Sequence, residues 1–357
     1  MPKTKRTQRL RPQQNRVIEL LRTEIVTGAL APGMRVPPRR ELAEQFSVSL
    51  LTVQQAVDRL AREGFVEARG RLGTFVAERP PHLMNYAIVF DHLPNERSFP
   101  RFFTAVAREA HGFDDEDRKI TPWYGVQPRM DCDAFRRLCG LVRDHRVAGL
   151  IFPAPPHAYV NTPLLDEPGI PRVAMRSSDG SRFEGVAELQ FSALLDRAFE
   201  YFAARGRRNV AVLHQAGVTL KDPSILDRLG LRMQPCMWQV VSYSEPEGAR
   251  NLAHLMVRRQ QQDPPDALFV GDDNLLEYAT AGIIDAGVRV PEELEVVGHC
   301  NFPWPTPSAL PVRRLGYDVR EFLRCCLQSL DEQRQGREPA MRVIDAKFED
   351  EVPDPAY

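Results

Sequence analysis

The sequence is short of lysine, of paired cysteines and of long apolar runs, and each shortage excludes a class of function. Only Lys221 and Lys347 follow Lys119, and neither has the setting in which an enzyme holds an aldehyde cofactor as a Schiff base. Six cysteines (Cys132, Cys139, Cys236, Cys300, Cys325, Cys326) are scattered without the spacings of a zinc ribbon or a disulfide scaffold. Reduced thiols in a cytoplasm are therefore expected, with Cys325-Cys326 as core packing inside a helical pattern. No apolar run reaches the roughly 20 residues that a membrane-spanning helix needs. The basic stretch Met1–Arg11 runs into Pro12-Gln13-Gln14-Asn15 where a signal peptide would be apolar, so neither export nor a membrane partner is expected. A Gly-rich phosphate loop, a Ser/His/Asp arrangement and a metal-ligand helix are all missing, so no enzyme activity, cofactor or metal site is expected. His299-Cys300 could begin a metal site, but two further ligands at recognisable spacing are absent.

What is present is an uneven distribution of charge. The chain has 357 residues, enough for two or three folding units, and its 47 basic and 48 acidic residues nearly cancel. Residues 1–80, however, hold 15 Lys/Arg against 8 Asp/Glu, and the remainder holds 32 against 40. A basic head on a mildly acidic body directs a polyanion partner to the head alone. Residues 1–14 read as a basic tail, disordered when free and able to grip phosphates through Lys3, Lys5, Arg6, Arg9 and Arg11.

Apolar residues at Val17, Leu20, Leu21 and Ile25 predict a helix over 15–27 that ends at Gly28, followed by a turn at Ala31-Pro32-Gly33. A second short helix is expected over Arg39–Phe46, and a third to Glu63 with Ser49 as N-cap and Gly64 as its stop. The pattern then changes to two short strands, Phe65–Glu67 and Thr74–Val76, around an Arg69–Gly73 tip. Such an arrangement suits DNA, because a helix fits the major groove while arginines at a flexible tip reach phosphates or the minor groove. Residues 78–85, with Pro80-Pro81 and no apolar period, read as a hinge.

Beyond the hinge, strands alternate with helices. Apolar strands are expected at Tyr86–Phe90, Val147–Phe152, Arg172–Met175, Val210–Leu213, Ala267–Val270 and Leu294–Val297. Helical patterns lie between them at Arg101–His111, Asp133–His145, Leu189–Ala204, Glu247–Gln260, Leu275–Ala286 and Val319–Gln333. This predicts an α/β class with parallel sheets covered on both faces, and ligands beyond the C-terminal strand ends. Candidates there are Asp91, Arg176, Asp272, Asp273, Cys300 and Asn301, with Phe102 and Trp304 as flat apolar surfaces.

Residues 15–77 resemble the GntR family of winged helix-turn-helix regulators. The matching stretches are Ile25–Gly33, Val36-Pro37-Pro38-Arg39-Arg40-Glu41-Leu42-Ala43, Val48-Ser49 with Thr52-Val53, and Gly73–Val76. The resemblance implies double-stranded operator DNA as partner. It places Arg40 on the DNA side of the second helix, Ser49 and Thr52 at the start of the recognition helix, and Arg69 and Arg71 at the wing. Arg39, Leu51 and Gln55 complete the candidate DNA contacts. Leu50 and Gln54 stand where the family usually has arginine. Arginine reads guanine by paired hydrogen bonds, glutamine suits adenine and leucine touches only a thymine methyl, so an atypical operator is expected. The plain alternative for Arg39, Arg40, Gln54 and Gln55 is a solvated surface.

Residues 86–350 resemble the effector domain of the LacI/GalR family, akin to periplasmic binding proteins. Arg146–Phe152, Gly169–Val173, Gly206–Ala211, Pro265–Phe269 and Val290–Gly298 stand in the family's order. A GntR head on this body is the arrangement of the arabinose-repressor-like subgroup. The resemblance implies two lobes over 86–352, lobe 1 as 86–190 and 303–325 and lobe 2 as 191–302 and 326–352. It also implies a small-molecule effector, a sugar or related polar metabolite, between the lobes, and a homodimer. Asp272-Asp273 match an acidic pair that accepts hydroxyl hydrogen bonds, with helix capping as the bland reading of Asp273. Arg228 lies near a ligand-gripping arginine of the family but lacks its spacing. His299-Cys300-Asn301 and Gln190-Phe191 replace acidic or amide groups of the family. The expectation is thus a transcriptional regulator, most simply a repressor, with two rival readings: a body whose pocket has decayed to a dimerisation module, and an enzyme-like body, which the scarcity of lysine disfavours.

Overall fold

The computed structural model describes residues 12–128, 132–216, 218–220, 222–258 and 263–353. The expected basic tail lies outside them up to residue 11. Its boundary at residue 14 is too late, because helix α1 (Pro12–Val26) already begins at Pro12. Proline suits a first helical turn, where the backbone N–H has no partner in any case.

Helices α1, α2 (Arg39–Phe46) and α3 (Leu50–Arg62) enclose Val17, Leu21, Ile25, Leu42, Val53 and Leu60. The break between α2 and α3 is local chemistry. Ser47 ends α2 in the left-handed conformation, and the Ser49 hydroxyl accepts from the Thr52 backbone N–H at 3.1 Å to start α3. Strands β1 (Val66–Ala68) and β2 (Thr74–Val76) pair antiparallel and seal this core with Phe65 and Val76. Pro38 precedes α2 without a side-chain cap, and the helix forms regardless.

The expected hinge is a packed joint. Its centre is a short helix, α4 (Pro81–Met84), in which Pro81 is buried and His82 stacks on Phe65 with ring centroids 5.9 Å apart. The head is also bolted to the body by ions: Arg22 spans Glu63 of the head at 2.7 Å and Asp144 of the body at 3.1 Å. Pro81 packs against Gly64 of the head instead of spacing it from the body.

The body has two lobes. In lobe 1, β3 (Asn85–Val89), α5 (Arg101–Ala110), β4 (Lys119–Trp123), α6 (Asp133–Arg143), β5 (Gly149–Phe152), α7 (Pro163–Asp166), β6 (Arg172–Met175) and β7 (Val186–Phe191) follow in order. In lobe 2 come α8 (Leu194–Ala204), β8 (Val210–His214), α9 (Ser224–Leu229), β9 (Trp238–Val240), α10 (Glu247–Val257), β10 (Ala267–Val270), α11 (Asp273–Asp285), β11 (Glu295–Phe302) and β12 (Arg313–Asp318). The chain then returns through α12 (Val319–Arg334) and β13 (Arg342–Ile344) to lobe 1, and ends with β14 (Lys347–Phe348) on lobe 2. Strand orders are β13-β7-β6-β5-β3-β4 and β14-β12-β11-β10-β8-β9, parallel except for β14. The buried runs β5 and β10 are apolar throughout because helices cover both sheet faces.

The expected lobe boundaries are corrected in two places. Residues 303–318 remain in lobe 2, since β12 pairs with β11. Residues 326–344 belong to lobe 1: Leu330 packs against Gly149, Gln333 bonds Arg172, and β13 pairs with β7. The crossings are braced by Tyr317, whose ring stacks on Phe191 at 4.0 Å and whose hydroxyl donates to Ser192 O at 2.6 Å. No helix among the described residues is long and apolar enough to cross a membrane.

Candidate functional site

In the head, α3 turns Val53, Ala56, Val57 and Leu60 inward and leaves Leu50 (53% exposed) and Leu51 (65% exposed) in solvent with Gln55. Two adjacent leucines are thus presented to solvent at the start of the helix. Arg39 and Arg40 are exposed at the start of α2. Ser49 is spent on capping, and Thr52 is buried with its hydroxyl on Ser49 Oγ at 2.8 Å, so Thr52 supports the helix start rather than facing outward. Gln54 is half-buried and bonds Asp58 one turn on.

The two wing arginines differ. Arg69 lies over the Phe75 ring at 4.8 Å and pairs with Glu67 and with Glu78, the latter at 2.9 Å. These acids hold its pKa above the ordinary arginine value, led by the hydrogen bond to Glu78. Arg71 is exposed at the tip beside the exposed Leu72. Sequence reasoning passed over Arg35, which bridges to Phe75 and lies against Gly73, placing a further cation on the wing. Its position behind the Gly33 turn was the available signal.

In the body, Asp272 caps α11, with Oδ1 accepting from Asn274 N and Nδ2, both at 2.8 Å. Asp273 is 2% exposed, and its Oδ2 accepts from Asn301 Nδ2 at 2.7 Å. Burial raises Asp272, helped by the charge of Asp273; burial likewise raises Asp273 to about 6, against the Asn301 bond. His299 Nδ1 lies 3.8 Å from Asp273 Oδ1, and neither ring nitrogen has a hydrogen-bond partner. Burial pushes that imidazole down, against the pull of Asp272. A buried acid pair beside an unpartnered neutral imidazole can accept from and donate to the hydroxyls of a polar ligand.

Lobe 1 closes on this group. Arg101 N donates to Asn274 Oδ1 at 3.1 Å, its guanidinium pairs with Glu277 at 3.0 Å, and Arg97 approaches Glu247 at 3.5 Å. Tyr243 lies between the lobes: burial raises its pKa, and the charges of both Asp91 and Asp272 add to that. Asp91 itself is half-exposed and bonds His92 Nδ1 at 2.6 Å. Nothing in the local pattern around Tyr243 marks it as a cleft residue, because it sits in a loop brought there by the fold.

Other expected ligand residues lie elsewhere. Cys300 is a correction: it is fully buried in β11, its thiol pushed up to about 12 by burial, because strand alternation puts it opposite His299 and Asn301. Arg176 turns to Met341 Sδ at 3.1 Å. Arg228 is exposed and pairs with Asp222. Phe102 packs edge-on against Phe191 and Phe322 beside the crossings. Trp304 donates to Glu109 Oε1 at 2.9 Å under the Arg108 guanidinium, a brace between lobes. No group of three or more His, Cys, Asp or Glu among the described residues could hold a metal ion.

Comparison with known proteins agrees with this division. Residues 13–76 match the bacterial regulatory proteins of the gntR family, and residues 199–345 match the periplasmic binding protein-like domain. The HTH-type transcriptional repressor NagR of Bacillus subtilis is 42% identical over 67 residues, which are 19% of this chain and 28% of that protein. The chain matches 14% to 57% of the length of relatives from Rhizobium meliloti, Bacillus subtilis and Mycobacterium tuberculosis. The arabinose metabolism transcriptional repressor of Halalkalibacterium halodurans is 24% identical over 345 residues, 88% of this chain and 89% of its own. Among solved structures, a putative transcriptional regulator LacI from Bacillus cereus subsp. cytotoxis superposes with a TM-score of 0.58 at 14% identity, over 74% of this chain and 96% of that one. A LacI-family regulatory protein from Chloroflexus aggregans gives 0.55 at 19% identity, over 75% and 96%. The chain therefore joins a GntR-family winged helix-turn-helix domain to a periplasmic-binding-protein-like body with the LacI-type fold.

Proposed function

We propose that this protein is a cytoplasmic transcriptional repressor that binds duplex operator DNA as a homodimer and changes its affinity when a small polar metabolite occupies the interlobe cleft. The observation that carries the reading is the outer face of α3: Leu50, Leu51 and Gln55 exposed, flanked by the exposed arginines Arg39, Arg40 and Arg71. Arginines supply phosphate contacts, and the apolar helix start supplies thymine-methyl contacts. Two-fold operators then call for two heads, which a dimer of the body provides. The arabinose repressor's near full-length match supports a sugar or related polyol as effector.

Selection from a random duplex library tests the DNA half. Half-sites centred on A·T pairs are expected, whereas guanine-led half-sites would overturn the atypical specificity, and no enrichment at all would overturn the regulator. Calorimetry against sugars, polyols and nucleosides tests the sensor half. The rival reading is a body whose pocket has decayed and that serves only dimerisation. That rival predicts no heat from any ligand and an operator affinity that none of them changes.

A further inference from the structure

A cavity of about 780 Å³ lies where the head meets lobe 1. Its walls are Val26 at the end of α1, His82 and Leu83 of the joint, and His145, Arg172 and Arg334 of lobe 1. Val147, Ala148, Ile170 and Pro171, which precede β5 and β6, also border it. It is therefore at the opposite end of the lobe 1 sheet from Asp91 and the interlobe cleft.

Its charges are layered. Arg172 is only 5% exposed, and its guanidinium donates to three backbone carbonyls: Leu164 O and Ile170 O at 2.7 Å, and Glu167 O at 2.5 Å. Among the described residues no carboxylate forms an ion pair with it, and burial lowers its pKa to about 10 against the more distant charges of Asp166 and Glu167. Half-buried Arg334 donates to two neutral oxygens, Tyr86 Oη and Ala148 O at 3.0 Å, and shares the Asp331 carboxylate, 3.9 Å away, with Arg118, which holds it at 2.7 Å. The Nδ1 atoms of His82 and His145 are buried without a hydrogen-bond partner. Burial pushes His82 down to about 4, aided by the positive charge of Arg334 and of His145. His145 is lowered by burial, against Glu167, with Arg22 lowering it and Asp144 raising it. The acids that face this group lie outward: Asp166 and Glu184 are exposed at the mouth, and half-buried Glu167 approaches His145 Nε2 at 4.0 Å. A buried guanidinium held only by carbonyl oxygens, as in Arg172, and unpartnered imidazoles are costly unless something negative completes them.

We propose that this junction is a second binding site, separate from the interlobe cleft, for a small anion that also carries hydroxyl groups, such as a phosphorylated or carboxylated polyol. The anionic group sits on His82 and His145 above Arg172 and Arg334, and the hydroxyls meet Asp166 and Glu184 at the mouth. Because the walls come from α1, the joint and lobe 1 together, a bound anion ties the head to the sensor, and its occupancy and DNA affinity change each other reciprocally. Anion binding also draws protons onto the imidazoles, so affinity rises as pH falls.

The test uses the full chain without DNA, so that its result does not depend on the regulator reading. The probes are sulfate, whose charge is constant near neutrality, and glycerol 3-phosphate. Histidine ring resonances are followed at fixed ionic strength with chloride as control. The expected result is saturable movement of the His82 and His145 signals, binding about fivefold tighter at pH 6 than at pH 7.5, and glycerol 3-phosphate tighter than sulfate. His145→Gln and Arg334→Gln should each weaken binding about tenfold. Should Arg334→Gln fail to fold, His145→Gln, at a half-buried site, decides alone. Overturning results are no saturation, equal response to chloride, unchanged affinity in His145→Gln, or movement confined to His299, which would assign the anion to the cleft.

Discussion

Glu63 in the head and Asp273 in lobe 2 are both buried carboxylates, and their surroundings are opposite. Burial pushes Glu63 up, but hydrogen bonds from Arg59 and Arg22, and the charges of both, outweigh it and leave its pKa below the ordinary glutamate value. Asp273 has hydrogen bonds from Asn301 and from backbone N–H groups and only the distant charge of Arg101, and burial still raises its pKa to about 6. A compensated acid contributes to the architecture, whereas an uncompensated one costs the fold stability and is a candidate ligand contact. The difference separates a joint that holds the molecule together from the cleft wall proposed above to meet a ligand.

The comparison breaks most visibly by mutation. Glu63→Ala leaves buried Arg22 with only the half-exposed Asp144, and a loss of about 3 kcal/mol is expected. Asp273→Asn removes a buried charge next to Asp272 while keeping an acceptor for Asn301, so a gain on the order of 2 kcal/mol at pH 8 is expected. Denaturant titration of both variants checks the signs. Equal destabilisation would show that Asp273 is structural.

The same pair responds oppositely to pH. Glu63 has a folded pKa below its unfolded value, so its stabilisation is complete above about 4.5 and is lost as pH falls through the folded value. Asp273 has a raised pKa, so between about 4 and 6 the folded state binds the extra proton, and stability falls as pH rises through that window. Regional hydrogen exchange at pH 7.5, 5.5 and 4 should show lobe 2 tightening from the first to the second, and the head loosening only at the third. Parallel behaviour of both regions would remove the distinction.

The head was legible from sequence because its signals are local: the Ser49 cap, the Gly64 stop and the inward stripe of α3 are read within one turn of themselves. The central strands β3, β5, β6, β8, β10 and β11 declared themselves by apolar runs for the same reason. Strand β4 did not, because Pro122 sits within it, a residue tolerated there only since β4 is an edge. Strand β12 begins with two arginines and contains Gly316, and no sequence pattern shows that a Cβ there would lie 1.7 Å from Cys300 O. The cleft was half legible: Asp272 and Asp273 follow a strand directly, whereas Tyr243 and Arg101 arrive from distant loops and the opposing lobe. The joint was misread as a hinge, because the packing of Pro81 and His82 depends on Gly64 and Phe65, whose positions only the fold supplies.

The smallest expected effect sharpens the comparison within the head. Arg69 and Arg71 are two residues apart on one wing, and by sequence alone they are equivalent cations. Taking one cation away from a phosphate lowers the slope of log affinity against log salt by roughly 0.9. Arg71 has an exposed guanidinium to give to a phosphate, so Arg71→Ala should reduce the slope by about that amount. Arg69 is already balanced by Glu67 and Glu78, so its charge is largely unavailable to DNA. Arg69→Ala should change the slope by less than half as much, while lowering affinity slightly at all salt concentrations because Glu67 and Glu78 are left unpaired beside the phosphates. Anisotropy titrations of both variants between about 50 and 200 mM salt measure the two slopes. Equal slopes would mean that the wing rearranges on DNA and that the pairing of Arg69 is a property of the free head alone.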